Sequence, residues 1–408
     1  MNDYKVRFIP LGGVIGVTKN MYVYELYKGE ELQDIIIVDC GMGFPDAHEF
    51  GIDLIIPDIS YLKDKLDKIR AILISHGHED HIGALPFYYE QLGKPPVIAT
   101  KLAKMFIQNK FKELETKIDI RDVEFRKWLK FGEFEVRFIH MTHSIPDATH
   151  IVIKTPIGQL YHGPDFKFDL TPPYTKHPDF HEITQAGEDG VLCLLSDVLG
   201  SERPGMTASE STVGQTFEDE MRSTKGKFIM TTFSSNISRI RQCVDAAIKF
   251  NRKIIFLGRS MRQNTTMASD LGYMKIPTAL IGKEQEIMKE IPNKLCIIVA
   301  GSQGQYGSAL SKLASGSNRF MKVEHGDKIV FSSDPIPGNE REVYSVIEEL
   351  SLQGADVVYP DIKDQLHASG HGSQEDLKLL VRFTNPKYLM PIGGTLRHQI
   401  QYERLMKT

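Results

Sequence analysis

Three histidines and an aspartate fall within six residues in Ser75-His76-Gly77-His78-Glu79-Asp80-His81, directly after the apolar run 71–75. Imidazole nitrogen and carboxylate oxygen are donors that zinc takes, about four of them at roughly 2.0–2.2 Å. One short loop can bring these groups to a common point without the entropy of closing a long one. The His-x-His alternation sends two side chains one way, and Asp80-His81 supplies groups for a neighbouring ion. That is the arrangement of a two-metal hydrolytic site, which activates water and stabilises charge in an in-line displacement. The alternative is a chance surface cluster, and the spacing together with the strand-end position argues against it.

Other polar residues stand in similar places. VRFIPLGG, MYVYELY, DIIIVDCG, AILISHG, FGEFEVRFIH, THIVIKTPIG and GVLCLLSD read as buried or half-buried strands. Helices are predicted between them, notably over 83–92 and 101–111. Asp39, His76, His143, Asp165 and Asp197 each come at or just past a strand's C-terminal end, where layered α/β folds build their sites. Taken alone, His143 reads equally as a ligand or a strand-end surface histidine, and Asp165 as a turn residue. Asp39 reads as an Asx turn before Gly41 or as a carboxylate that orients a ligand histidine.

After Glu202-Arg203-Pro204-Gly205 the rhythm changes to regular strand–helix alternation: KFIMTTF, NISRIRQCVDAAIKF, KIIFLG, a helix over 263–271, LCIIVAG, KIVFSS, NEREVYSVIEELSLQG, DVVY. Such a series predicts a parallel sheet of its own. Residues 206–365 therefore read as a second α/β domain inserted into a first one made of 1–205 and 366–408.

Composition fits a soluble two-domain protein: 408 residues, 41% hydrophobic and 25% charged. No apolar run approaches the roughly 18–20 residues that span a bilayer, and the start MNDYKVRFIPLGG lacks a signal-peptide layout. Cys40, Cys193, Cys243 and Cys296 form no CxxC pair and read as reduced thiols, so a cytoplasmic location without membrane contact is expected. The net charge of −4 gives no global support for a nucleic-acid partner. A local basic stretch, 101–130, carries nine Lys/Arg against five Asp/Glu, and reads as a nucleic-acid surface or a solvated helix face.

HxHxDH after a strand resembles the signature of the metallo-β-lactamase superfamily. The words KNMYVYE, GIDLIIPD, ISHGHEDHIGALP, THSIPDA, GPDFKFDLTP, ERPG, FSSNISRI, GRSM, GSQG, FSSDPIPGNE and SGHGSQEDLK resemble the ribonuclease J family of β-CASP nucleases, from residue 19 to 377. The resemblance implies a metallo-β-lactamase αββα sandwich interrupted by a parallel α/β β-CASP domain, with the active site in the cleft between them. It implies one zinc on His76, His78, His143 and Asp165, and another on Asp80, His81 and the shared Asp165. Asp80 would orient or deprotonate the water. Asp197 matches the first nuclease-specific motif and His367 the second, where a histidine suits a general acid on the departing 3′ oxygen. Ser234, Ser235 and Asn236 at a helix start, with Ser369 and His371, would hold a 5′-monophosphate of single-stranded RNA. From spacing alone, Ser and Asn there are ordinary N-caps.

The chain departs from that pattern in four places. Gly393 of Pro391-Ile392-Gly393-Gly394 stands where the family has a histidine for the second zinc, with His398 five residues behind. Val198-Leu199-Gly200 replaces the usual Ser-Thr-Asn, and Pro164 replaces a glycine. The sequence also stops at Thr408, where the family continues. The expectation is zinc-dependent hydrolysis of RNA phosphodiester bonds, exonucleolytic from the 5′ end, endonucleolytic or both, with a weakened second site that manganese could serve. A non-catalytic RNA-binding subunit and a small-molecule metallo-hydrolase are the rivals, and a homo-oligomer is left open.

Overall fold

In a computed structural model of the chain, residues 3–45, 49, 51–336 and 338–407 are described. The first sheet runs β1 (Tyr4–Gly12), β2 (Met21–Lys28), β3 (Glu31–Val38), β4 (Ile69–Leu73), β5 (Val97–Ala99), β6 (Ile120–Asp122) in spatial order. Its first three strands form an antiparallel meander, and the rest pair in parallel. The second sheet contains β7 (Leu129–Phe131), β8 (Phe134–His140), β9 (Thr149–Thr155), β10 (Gly158–Gly163), β11 (Val191–Asp197) and β17 (Tyr388–Ile392), in the order β17-β11-β10-β9-β8-β7.

Strand alternation explains how these sheets stack, because successive side chains point to opposite faces. From β2 and β3, Tyr22, Tyr24, Leu26, Ile36 and Val38 pack against Phe134, Val136, Phe138, Ile151 and Ile153 of the second sheet. Their odd-numbered neighbours Met21, Val23, Ile35 and Ile37 face the outer layer, with Leu102, Phe106 and Ile107 of the helix Lys101–Glu113. Ile139, Val152, Tyr161 and Leu194 likewise pack outward on Ile183, Leu377, Leu380 and Tyr402 of three helices. The result is the expected αββα sandwich.

A third sheet, wholly parallel, takes its strands from 228–358: β12 (Phe228–Thr231), β13 (Lys253–Leu257), β14 (Leu295–Val299), β15 (Lys328–Phe331) and β16 (Asp356–Val358), ordered β13-β14-β12-β15-β16. Such strands are apolar on both sides, and here Phe228 and Met230 serve one core while Ile229, Ile297 and Phe331 serve another. The loops after β12, β13, β14 and β15 open at the strands' C-terminal ends onto one cleft of about 1320 Å³, whose opposite wall carries His78, Asp80, His143 and Asp165.

Two sequence expectations change. The helix expected over 83–92 is one turn, Leu85–Tyr88, with Pro86 its second residue, and a separate turn, Glu79–Ile82, precedes it. The helix Lys101–Glu113 buries its apolar face, while Lys104 and Lys110 pair with Asp122 (2.8 Å) and Glu79 (2.7 Å). This is the solvated-face reading of the 101–130 stretch. Among the described residues no helix is long and apolar enough to cross a membrane.

Candidate metal centre

The loop leaving β4 carries His76 and His78, and the helical turn that starts behind His78 carries Asp80 and His81. His143 follows β8, and Asp165 follows β10. Their donor atoms gather into two groups, His76/His78/His143/Asp165 and Asp80/His81/Asp165, each with all ligand atoms within 4.8 Å of one another. His78 Nδ1 lies 3.0 Å from His76 Nε2 and 3.2 Å from His143 Nε2. Asp165 Oδ2 is 3.3 Å from His81 Nε2, 3.7 Å from His143 Nε2 and 3.8 Å from His76 Nε2, so one carboxylate joins both groups.

The surroundings fix which nitrogens face inward. His81 Nδ1 donates to Asp39 Oδ2 at 2.8 Å, and His143 Nδ1 donates to the Gly370 carbonyl at 2.7 Å. Both Nε2 atoms therefore face the centre, and a bound metal would take their lone pairs. Asp39, itself in the left-handed region at φ 60°, also accepts from Ser75 N and Ser75 Oγ, each at 2.8 Å. It is the orienting carboxylate of the two readings weighed for it. Gly370 has to be glycine, since a Cβ there would stand 2.7 Å from His143 Cε1. Gly41 is bound more tightly still, its Cβ position lying 1.6 Å from the Asp80 carbonyl oxygen.

Burial, joined by the neighbouring imidazoles and opposed by Asp165, holds His76 and His143 well below the ordinary imidazole pKa and His78 at about 3. They are thus neutral, the form that ligates. Burial pushes Asp80 up to about 6. Burial would lower His81, but the charges of Asp165, Asp80 and Asp39 outweigh it and raise it well above its usual value. Lone pairs converging on one point, beside buried carboxylates, repel one another unless a cation sits among them. The donor set therefore fits a metal pair: nitrogen-rich on one side and oxygen-rich on the other.

Asp197 ends β11 and accepts from His371 Nδ1 at 2.8 Å, which leaves His371 Nε2 3.9 Å from Asp165 Oδ2. Asp165, Asp197 and His371 form a third cluster beside the first two. His367, the expected general acid, lies farther along the cleft. Its Nδ1 accepts from Arg239 Nη1 at 3.1 Å, and its Nε2 is 3.6 Å from Asp334.

Of the residues expected to hold phosphate, Ser234, Ser235, Asn236, Ser369 and His371 all line the cleft. Asn236 is buried, however, and its Oδ1 caps the helix Ile237–Lys249 by accepting from Arg239 N at 3.1 Å. Ser369 Oγ accepts from His371 N at 3.0 Å, and Ser234 Oγ accepts from Asn264 Nδ2 at 3.1 Å. Ser235 keeps its hydroxyl free among the described residues. His398 closes a capping box with Thr395 and faces Glu202 at 3.6 Å, outside every ligand cluster. Gly393, at φ +66°, ends β17 with only backbone to offer. The sequence reading missed Asn20, whose Nδ2 stands 3.0 Å from His81 Nε2 and 3.3 Å from Asp80 Oδ2. Its one signal is its place just before β2.

Fold and site together define a metal-binding protein of the metallo-β-lactamase type with a parallel α/β layer roofing its cleft. The family model described as Metallo-beta-lactamase superfamily matches residues 16–258, and the one described as Ribonuclease J, beta-CASP domain matches 225–350. The chain is 37% identical to ribonuclease J2 of Bacillus subtilis over 406 residues, 99% of this chain and 72% of that protein. With ribonuclease J of Thermus thermophilus it shares 38% over 412 residues, 99% of this chain and 70% of that one. With ribonuclease J of Helicobacter pylori it shares 39% over 402 residues, 98% of this chain but only 57% of the relative's length. A crystal structure of a protein of unknown function from Enterococcus faecalis superposes with a TM-score of 0.67 at 14% identity, covering 96% of this chain and 94% of that one, and supports the fold. The chain belongs to the ribonuclease J family.

Proposed function

We propose that this chain is a metal-dependent ribonuclease that hydrolyses phosphodiester bonds of single-stranded RNA in RNA processing and decay, as a 5′→3′ exonuclease, an endonuclease or both. The observation that carries this is Asp165, shared by two ligand groups on the wall of the cleft. Small-ligand pockets run about 300–1,000 Å³. A cleft of about 1320 Å³, lined by Arg203, Arg259, Lys312 and Arg319 as well as the ligand groups, suits a polyanion better than a small substrate.

A bound metal pair supplies Lewis acidity and lowers the pKa of water near its working pH. The chain's own residues do the rest. Asp80 orients the attacking water and takes its proton. His371, backed by Asp197, hands a proton from Nε2 to the departing 3′ oxygen. It is better placed for this than His367, because it borders Asp165 directly. His367, whose pKa burial and the Arg239 charge press well down, contacts the strand farther along. Ser234, Ser235, Asn236 and Ser369 shape the place for the 5′ phosphate, with Ser235 offering its hydroxyl and Asn236 acting through the helix start.

Zinc is the proposed metal at both positions, with manganese able to serve the oxygen-rich second one. The domain division is part of the same proposal: 1–205 and 366–408 form the metallo-β-lactamase unit and 206–365 the β-CASP unit. So are a cytoplasmic location, which suits four unpaired cysteines, and self-association into a homo-oligomer. The test is the zinc content of purified protein beside cleavage of single-stranded RNA, before and after chelation, for wild type and His76→Ala. We expect activity to vanish with the metal and in His76→Ala, while circular dichroism shows the fold retained. Full activity in metal-free protein or in the variant would overturn the assignment.

A further inference from the structure

The second ligand group contains three side chains, Asp80, His81 and Asp165, where a zinc ion takes about four. His371 falls in the separate cluster with Asp165 and Asp197, His398 closes a helix cap, and Gly393 has no side chain. One further polar side chain points into the group. Asn20, 1% exposed at the entrance to β2, places an amide terminus 3.0 Å from His81 Nε2 and 3.3 Å from Asp80 Oδ2. Two ligands of one tetrahedral zinc stand about 3.4 Å apart, from metal–ligand distances near 2.1 Å. Asn20 therefore already holds ligand spacing to both.

We infer that Asn20 is the fourth protein ligand of the second metal, through its side-chain carbonyl oxygen. The inference rests on the metal-centre reading above. As placed, Nδ2 faces the group, donating to Val17 O at 3.2 Å, while Oδ1 accepts from Tyr22 Oη at 2.8 Å. A half-turn of the amide exchanges the two atoms, and the surroundings accept either state. Tyr22 Oη also reaches Gly13 O at 3.0 Å. It can donate to Asn20 Oδ1, or accept from Nδ2 and donate to Gly13 O instead. Gly13 O keeps a donor in both cases, because Gly393 N lies 2.8 Å away. The turn takes the Asn20 donor from Val17 O and from Asp80 Oδ2, and a cation between Oδ1 and Asp80 compensates the second loss, so the turned state is held by a cation.

His81 supports the same conclusion. Its Nδ1 proton is held by Asp39, so a metal would take the lone pair of Nε2. An Asn20 N–H aimed at that nitrogen would then have nothing to donate to. The backbone holds Asn20 in place in either state: Asn20 N donates to Asp80 O at 2.9 Å, and Gly41 N donates to Asn20 O at 2.8 Å.

The test is a Zn²⁺ titration of the chelator-treated full chain by calorimetry, for wild type, Asn20→Ala and Asn20→Asp, with metal-free melting curves checking the fold. Co²⁺ absorption of the second equivalent serves as a second readout. Wild type should take two equivalents. Asn20→Ala should keep the first and bind the second at least 10–100-fold more weakly, the range known for merely supporting groups, with an altered Co²⁺ spectrum. Asn20→Asp, which presents oxygen in either orientation but cannot donate, should keep the second equivalent. An unchanged second equivalent in Asn20→Ala would overturn the inference. So would equal losses in Ala and Asp, which would make Asn20 only a donor that positions Asp80. A wild type that binds no second ion would instead refute the two-metal reading itself.

Discussion

An imidazole aims one nitrogen reliably only when its other nitrogen is engaged, and the centre uses this device repeatedly. His81 leans on Asp39, His143 on the Gly370 carbonyl, and His371 on Asp197. The third pair sets a pH dependence. Burial would lower the His371 pKa, but the Asp197 and Asp165 carboxylates outweigh it and hold it above the usual imidazole value. A proton donor works below its pKa, so activity should fall as pH rises through that of His371. Asp197→Asn removes one negative charge, lowers the pKa and should move the alkaline limb of the kcat–pH profile to lower pH, with a rate loss of about 10²–10⁴-fold, the usual share of general acid catalysis. A lower rate with an unmoved limb would show that His371 is not the donor. The contiguous cluster of His76, His78, Asp80 and His81 was legible because spacing in sequence sets spacing in space. The different surroundings of His367 and His371 were not, since four residues of loop put one beside Arg239 and the other beside Asp165 and Asp197. Asn20 stayed hidden because a lone amide before a strand belongs to no ligand pattern.

At the scale of elements, the cleft depends on how the helix Ile237–Lys249 is tied to the segment that returns to the sandwich. Arg239 is fully buried and donates to both Glu210 oxygens (2.6 and 2.9 Å), Ser332 O (2.9 Å), Ser332 Oγ (2.8 Å) and Ala368 O (3.2 Å). It is a tie between three segments, with no surface to offer RNA. Removing one partner of a buried pair leaves the other charge uncompensated and costs about 3–5 kcal/mol, whereas replacing both by apolar groups is often neutral. Arg239→Met should therefore lower the unfolding free energy read from denaturant melts by that amount, and Arg239→Met/Glu210→Leu should recover much of it. Equal stability of wild type and the single variant would mean Glu210 finds another partner. Long β-branched strands such as β3 and β14 were plain in the sequence. β5, β6 and β7 span three residues each, and β10 begins with glycine and carries His162, so periodicity had little to register. β17 was hidden by exposure: Tyr388, Leu389 and Met390 all lie on the surface.

For the molecule as a whole, the change of rhythm near 205 foretold a second, parallel layer, because strand–helix alternation allows little else. The total charge foretold nothing about the cleft. Arg262 and Arg397 pair there with Glu284 and Glu202, but Arg203, Arg259, Lys312 and Arg319 have no carboxylate at ion-pairing distance among the described residues. A net charge of −4 thus coexists with a group of cations along the cleft that no carboxylate pairs. Where the channel meets the metal centre, the start of the helix Ile237–Lys249 and the Ser235 hydroxyl face a space that Asp334 and Glu202 also line. One terminal phosphate can take the Ser235 hydroxyl there, beside the positive end of the helix dipole. A triphosphate brings further negative charge against the two carboxylates. On the proposed function, 5′-monophosphorylated single-stranded RNA should be degraded faster than its 5′-triphosphorylated form. Ser235→Ala should lose about tenfold on the monophosphate alone, the worth of one hydrogen bond to a charged group at the low end of its range. Single-turnover rates on the two RNAs, for wild type and variant, decide it. Equal rates on both ends would leave Ser235 a helix-start residue and place the origin of any 5′ preference outside this cleft.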